Sequence, residues 1–252
     1  DLTGPKLMDR MKEHAEKFET QIIFDHINEV DFSAKPYKLK GDSTSYTCDA
    51  LIICTGASAQ YLGLESEQAF MGRGESACAT CDGFFYKGQD VAIVGAGDTA
   101  AEEASYLANI CNKVTMLERR DEMRASKAMQ HRVNSIKNIE VRYNTEVDEV
   151  LGEQVVEGLR MVNNRTGEKE DIAITGLFIA IGHKPNTDIF KGQLDMDETG
   201  YLITKGISTM TNLPGVSASG DAQDKEYRQA VTAAGTGCMA ALDAERYLGA
   251  LE

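Results

Sequence analysis

Long apolar runs are missing from this 252-residue chain. None approaches the ~20 residues that a membrane-spanning helix needs, so no membrane partner is expected. Positive charge is scarce too: 26 Lys and Arg stand against 40 Asp and Glu, leaving a net charge of −14. Such a surface repels nucleic acid and anionic membranes alike, which excludes a general binder of either. Cysteine is sparse, with six residues. That is too few for a disulfide scaffold, fits a reducing compartment and makes the cytoplasm the expected location. The histidines His14, His26, His131 and His183 are scattered singly. Low-complexity tracts and short-period repeats are lacking as well. The chain starts at Asp1, so the lack of a secretory signal carries no weight.

What is present is an ordinary globular composition, 42% hydrophobic and 26% charged, in a chain long enough for one large domain or two modest ones. Helical spacing of Leu7, Met11, Ala15 and Phe18 predicts a helix over 5–19. Strands are expected at 21–24, 29–32 and 37–39, and a buried strand over 48–54 that ends in the turn Thr55-Gly56-Ala57. The glycine-bearing stretch 63–74 reads as a connector. A βαβ unit follows, with strands at 91–94 and 114–117 around an Ala-rich helix at 98–109. Met129, Val133 and Ile136 mark another helix, and strands are expected at 139–143, 155–162 and 177–181. The last stretch carries a strand ending at Gly220-Asp221, then a helix over 229–247. The fold class is α/β with at least one doubly wound sheet.

The first chemical signal is Gly95-Ala96-Gly97-Asp98-Thr99-Ala100-Ala101, placed after a strand and at the start of a helix. The first glycine permits a tight turn, the second lets backbone approach a pyrophosphate, and Ala100 keeps helix and strand close. The helix N-terminus adds free N–H groups and the positive end of a dipole. A second glycine pattern, Gly235-Thr236-Gly237, lies inside an expected helix with no strand before it and reads as close packing. Glu118, ending the second strand, alone favours NAD through the ribose 2′-hydroxyl. Arg119, Arg120 and Arg124 next to it favour a 2′-phosphate, each charge-assisted bond being worth ~1.5–3 kcal/mol. The alternative is a charged turn in which Arg119 and Arg120 pair with Asp121 and Glu122. In so acidic a chain the basic cluster weighs more, and NADPH is the expected cofactor.

The second signal is Cys78-Ala79-Thr80-Cys81-Asp82. Two intervening residues hold the sulfurs within reach of a small, reversible disulfide. The thiolate is the nucleophile, so an adjacent acid such as Asp82 is useful for moving the proton. Half of a zinc site is the competing reading, but zinc takes four ligands and no second CxxC exists. Cys48, Cys54, Cys111 and Cys238 read as ordinary buried small residues. A dithiol and a nicotinamide need a mediator that accepts hydride and passes electrons to sulfur, and flavin is the usual one. Gly220-Asp221, with the helix that starts near Arg228-Gln229-Ala230, offers a weak flavin signal.

Taken together, CATCDGFFY (78–86), GAGDTAAEEA (95–104), RRDEMRA (119–125), AIGHKPNT (180–187), GDA (220–222) and YRQAVTAAGTGCMAALDAERYL (227–248) closely resemble bacterial, low-molecular-weight thioredoxin reductases. The resemblance runs from Asp1 to about Leu248. It implies two Rossmann-like nucleotide-binding domains: a flavin domain made of 1–59 and 189–252, and an NADPH domain of 60–188 that carries the dithiol. It implies a cytoplasmic homodimer that passes electrons from NADPH through FAD to its own disulfide and then to thioredoxin. In that scheme Cys81 faces the flavin, Cys78 attacks thioredoxin and Asp82 is the acid. Gly95, Gly97, Asp98, Thr99 and Ala100 cradle the nucleotide, and Arg119, Arg120 and Arg124 hold the 2′-phosphate. Thr55, Gly56, Asp221, Ala222, Arg228, Gln229 and Ala230 lie along FAD. Glu118 stands where close relatives commonly carry histidine, which keeps a related NADH-dependent reductase of a peroxidase system as an alternative. The family opens with a flavin-binding strand and glycine-rich turn, ~30 residues as a βαβ unit, that this sequence does not contain. A fragment that binds NADPH without turnover is therefore a further expectation.

Overall fold

The computed structural model describes residues 3–251, which divide into two compact units. One comprises the described residues up to Gly56 together with those from Pro185 onward, and the other runs from Ala57 to Lys184.

The second unit is built on a five-stranded parallel sheet. Its order is Glu75–Ser76, Gly176–Ile179, Asp90–Val94, Lys113–Glu118 and Ile139–Tyr143. Helices α4 (Asp98–Ala108) and α5 (Lys127–Ser135) make the crossovers between the last three strands. Both faces of the sheet are covered, so its inner strands are buried residue after residue rather than alternating. Val91, Ile93, Val114, Met116 and Phe178 meet Ala100, Ala101, Ala104 and Leu107 of α4 on one side. Ala92, Val94, Leu117, Leu177 and Ile179 face the other way, against Val150, Leu159 and Met161. Those three come from an antiparallel meander, Thr145–Leu151, Gly158–Asn163 and Lys169–Ala173.

In the first unit an exposed helix, α1 (Gly4–Glu16), precedes a meander of Ile27–Asp31, Tyr37–Gly41 and Ser45–Cys48. Leu51–Ile53 pairs in parallel with Val216–Ala218, and the 20-residue helix α6 (Ala230–Gly249) follows. Its core gathers Val30, Phe32, Tyr37, Ile53, Phe190 and Val216.

Several expected elements change. The stretch 21–24 is not a strand: Ile22, Ile23 and Phe24 are exposed and no described strand pairs with them. Within 48–54, Cys48 ends the strand Ser45–Cys48 and Leu51–Ile53 is a strand of a different sheet, because the chain bends at Asp49 and Ala50. Of 155–162, only the part from Gly158 is strand. The connector 63–74 contains a short helix, α2 (Glu65–Phe70).

One buried group stands out energetically. Glu67 is 0% exposed, and its carboxylate accepts the N–H groups of Leu62 (2.8 Å), Gly63 (2.7 Å) and Leu64 (3.3 Å). Glu75 is 4% exposed, in register with Leu177 and so on the apolar meander face, and neither of its carboxyl oxygens has a hydrogen-bond partner. Burial, and then the nearby Glu67 carboxylate, push its pKa up to about 8 from 4.5. The fold therefore binds a proton that the unfolded chain sheds. The stability this proton supplies is complete below about 4.5 and drains away as pH rises through about 8. Glu75→Gln cannot ionise, so its melting temperature should gain on the parent's by several degrees between roughly pH 5 and pH 9. A difference that stays constant over that range would show that Glu75 does not carry the proton.

Candidate functional site

The sheet delivers its central strand, Asp90–Val94, directly into the glycine turn. Gly95 has φ 122°, and a Cβ there would lie 2.4 Å from the Ala180 carbonyl oxygen, so only glycine fits. That close approach is locked by Gly95 N–H donating to Leu117 O and Ala180 N–H donating to Val94 O. Ala100 is fully buried beneath the turn. Gly97 differs: its φ of −82° suits any residue, and a Cβ there would meet no protein atom within 4 Å. It caps α4, whose first-turn N–H groups lack intrahelical acceptors. Thr99 is exposed in that turn. The Asp98 carboxylate accepts Ser126 N–H at 2.9 Å, which holds its pKa below the usual range and commits its charge to the backbone. Open space over a helix N-terminus, floored by glycine, fits a pyrophosphate.

A cavity of about 550 Å³ adjoins this turn, lined by Gly95, Leu117, Glu118, Arg119, Arg124 and Ile181 among others. Arg124 is brought there because Ala96 O accepts both Arg124 N–H and Ala125 N–H, each at 2.9 Å. Glu118 is buried, and its Oε1 accepts Arg120 N–H at 2.9 Å. The Arg120 side chain is not among those lining the cavity. Asp121 pairs with Arg165 at 2.6 Å, rather than with its arginine neighbours in the turn.

The dithiol belongs to the same unit. Cys78 and Cys81 form a disulfide with Cα atoms 5.3 Å apart. Ala79, which opens the one-turn helix α3 (Ala79–Asp82), is fully buried in the core that also holds Ala100 and Leu107, so the motif is anchored to α4. Cys81 N–H donates to Cys78 Sγ at 3.2 Å, a bond that favours negative charge on Cys78 once the bridge opens. Ser76, which sequence reasoning missed, accepts Cys78 N–H (3.1 Å) and donates to Asp82 Oδ2 (2.6 Å). It thereby ties the acid to the cysteines; its only signal was its position two residues before Cys78. Phe84 and Phe85 were also missed, and they stand 67% and 74% exposed beyond the motif. Of the other cysteines, Cys111 is buried and its thiol is pushed up to about 11 by desolvation, while Cys48 is half-buried. Cys54 and Cys238 are exposed, contrary to expectation. Cys54 lies just past the end of its strand, and Cys238 sits on the open side of α6.

The residues expected along FAD lie in the first unit. Gly220 follows Val216–Ala218 with φ 62°, and a Cβ there would lie 3.5 Å from the Ala233 methyl. The turn is thus held close against α6, helped by Gly220 N–H donating to Thr236 Oγ1. Asp221 is half-exposed in this turn and Ala222 is buried. Arg228 has φ 47°, and Asp224 accepts its N–H and those of Glu226 and Tyr227. Gln229 caps the helix that Ala230 opens. Thr55 is exposed and Gly56, φ 69°, half-exposed after Leu51–Ile53. A tight glycine turn, an acid at a strand end and an open helix start are compatible with the sugar-alcohol and phosphate parts of a flavin dinucleotide.

Comparison with known proteins adds independent findings. The model of the pyridine nucleotide-disulphide oxidoreductase family matches residues 3–237. Thioredoxin reductase of Vibrio cholerae is 57% identical over 255 residues, covering 98% of this chain and 80% of its own length. A Pseudomonas fluorescens protein named glucosaminate ammonia-lyase is 57% identical over 259 residues, with 100% and 80% coverage. The solved structure of thioredoxin reductase from Giardia duodenalis matches with a TM-score of 0.93 at 40% identity, covering 98% of this chain and 82% of that one.

Two outcomes are expected from this geometry. Gly97→Val should melt like the parent, since its backbone and surroundings accept a side chain, yet bind NADPH at least roughly tenfold more weakly in calorimetric titration. Equal binding by both would remove the turn from the nucleotide site. Alkylation of unfolded, non-reduced protein should label Cys48, Cys54, Cys111 and Cys238 and leave only Cys78 and Cys81 joined in the mass spectrum.

Proposed function

The chain belongs to the pyridine nucleotide-disulphide oxidoreductase family, among the bacterial-type thioredoxin reductases, and from that premise we propose that it catalyses NADPH + H⁺ + thioredoxin disulfide → NADP⁺ + thioredoxin dithiol. Enzymes of this family use FAD and NADPH. The observation that carries the reading is the Cys78–Cys81 bridge, with Asp82 held beside it, in the unit that also holds the glycine turn and the arginine-lined cavity.

Gly95, Gly97 and the first turn of α4, with Thr99 in it, take the pyrophosphate of NADPH, and Arg119 and Arg124, which line the adjoining cavity, take its 2′-phosphate, with Arg120 next to them in the chain. Thr55, Gly56, Asp221, Ala222, Arg228, Gln229 and Ala230 hold FAD. When bound, the flavin accepts hydride and supplies two electrons to the disulfide. Cys78 and Cys81 then become a dithiol, with Asp82 supplying the proton for one sulfur. The Cys78 thiolate attacks a thioredoxin sulfur and forms a mixed disulfide. Cys81 attacks Cys78 in turn, so the internal bridge re-forms and thioredoxin leaves as a dithiol. The exposed rings of Phe84 and Phe85 offer apolar surface beside the reacting sulfurs for the incoming protein. We read the protein as a cytoplasmic homodimer. The exposed Met8, Met11 and Phe24 of the first unit support burial against a second copy.

The test is thiol release from thioredoxin by the FAD-supplied protein with NADPH. Cys78→Ser and Cys81→Ser should each fall to the uncatalysed background while NADPH affinity stays within about twofold, because neither sulfur lines the nucleotide cavity. Thioredoxin reduction that survives either substitution would overturn the reading. So would ammonia release from glucosaminate in place of thiol release.

A further inference from the structure

The arginine turn is not self-supporting. Asn144, held at φ 53°, donates its N–H to Arg120 O at 2.8 Å. Asn164, in the turn between the last two meander strands, donates its N–H to Asn144 O at 2.8 Å and its side-chain Nδ2 to Arg119 O at 2.7 Å. The carbonyls of two successive arginines are thus held, Arg120 by Asn144 at the start of the meander and Arg119 by Asn164 within it. That meander turn is itself rigid, since Asn163 Oδ1 accepts the N–H groups of Arg165 and Thr166, each at 3.0 Å. From it Arg165 reaches Asp121 at 2.6 Å. Asp121 is the one carboxylate inside the run Arg119-Arg120-Asp121, and it would otherwise compete with any bound phosphate for those guanidiniums.

We propose that the meander turn carrying Asn164 and Arg165 is a specificity element for a dinucleotide bearing a 2′-phosphate, Asn164 positioning Arg119 and Arg165 keeping Asp121 away from the arginines. The proposal rests on the reading that Arg119 and Arg124 receive that phosphate. Arg165 and Asp121 are 62% and 65% exposed, and such ion pairs contribute little to folding. The pair's conspicuous effect is therefore on charge near the cavity. With the bridge intact, one cation cancels one anion next to Arg119 and Arg120. Without it, a free carboxylate faces a dianionic phosphate, whereas a 2′-hydroxyl is indifferent to the change. Asn164 acts through geometry: released from its carbonyl bond, Arg119 must be ordered by the ligand itself, which costs affinity only where the guanidinium is used.

The experiment is calorimetric titration of the full chain with 2′,5′-ADP and with 5′-AMP, which differ only in the 2′-phosphate and need no flavin. Asn164→Ala and Arg165→Ala should each weaken 2′,5′-ADP roughly three- to tenfold and leave 5′-AMP within about twofold. Adding Asp121→Asn to Arg165→Ala should restore most of the loss, because the freed carboxylate is gone. A general loosening of the fold would weaken both ligands together, and that result overturns the proposal, as does no change in either. Arg119→Ala with Arg124→Ala separates the two levels of the argument. If that pair leaves 2′,5′-ADP binding intact, the phosphate site itself is misassigned and the proposal falls with it. If the arginine pair abolishes the preference while Asn164→Ala and Arg165→Ala do not touch it, only the proposal fails.

Discussion

The proposed nucleotide site of the second unit depends on one close approach, the backbone of Gly95 against the carbonyl of Ala180. A side chain at Gly95 would collide with that oxygen at 2.4 Å, so the neighbouring strands could not both run to their ends. Because they do, Asp90–Val94 and Gly176–Ile179 stay paired to the point where the chain turns into α4. The turn then places Ala96 O where Arg124 N–H and Ala125 N–H can reach it. A packing constraint in the sheet is converted into the position of a cation at the cavity, without any direct contact between Gly95 and Arg124.

Charge is the second constraint, because the proposed phosphate site must be assembled among many carboxylates in a chain of net charge −14. Three of the carboxylates near the glycine turn and the arginine run have their charge engaged. Asp98 accepts Ser126 N–H, Glu118 accepts Arg120 N–H, and Asp121 pairs with Arg165. Two of these partners are backbone groups, which cannot swing away as side chains can. The acids thus help to shape the basic turn, their charge spent on bonds that would otherwise need other acceptors. Glu118 is the instructive case. Its place at a strand end suggests recognition of a ribose hydroxyl, yet one of its oxygens is already holding the arginine turn.

How much of this could be read from the chain depended on whether the signal was local. The βαβ unit was legible because Val91–Val94 and Val114–Leu117 are apolar runs flanking an alanine-rich helix, and their burial on both faces leaves no polar alternation to confuse them. The cysteine pair was legible because spacing alone sets its geometry. The run 48–54 misled for the opposite reason. It reads as one mostly apolar run, but a bend at Asp49 and Ala50 leaves Cys48 at the end of one strand and puts Leu51–Ile53 in a different sheet. Partners distant in sequence left no trace at all. Arg165 is one charged residue in a polar hairpin, and only the fold brings it to Asp121, 44 positions earlier. Glu75 likewise looks like a surface acid until its strand pairs with Gly176–Ile179 and its register turns it into an apolar layer.

The redox motif shows the same economy of support. Ala79 is buried in the core beneath α4, and a Cβ on Gly83 would come within 2.9 Å of Leu107 on that helix. Small residues thus press the segment onto α4, in addition to the bonds that Cys78 and Cys81 make to Ser76 and to each other. What remains free is the chemistry at its surface, where Ser76 joins the Cys78 backbone to the Asp82 carboxylate. In the proposed reaction the dithiol opens and closes beside Asp82, and a hydroxyl bonded to both the Cys78 backbone and that carboxylate would let the sulfurs separate while the acid stays in place. Burial of Ala79 and Gly83 supplies the rigidity, and the Ser76 bridge carries it to Asp82, the acid of the proposed reaction.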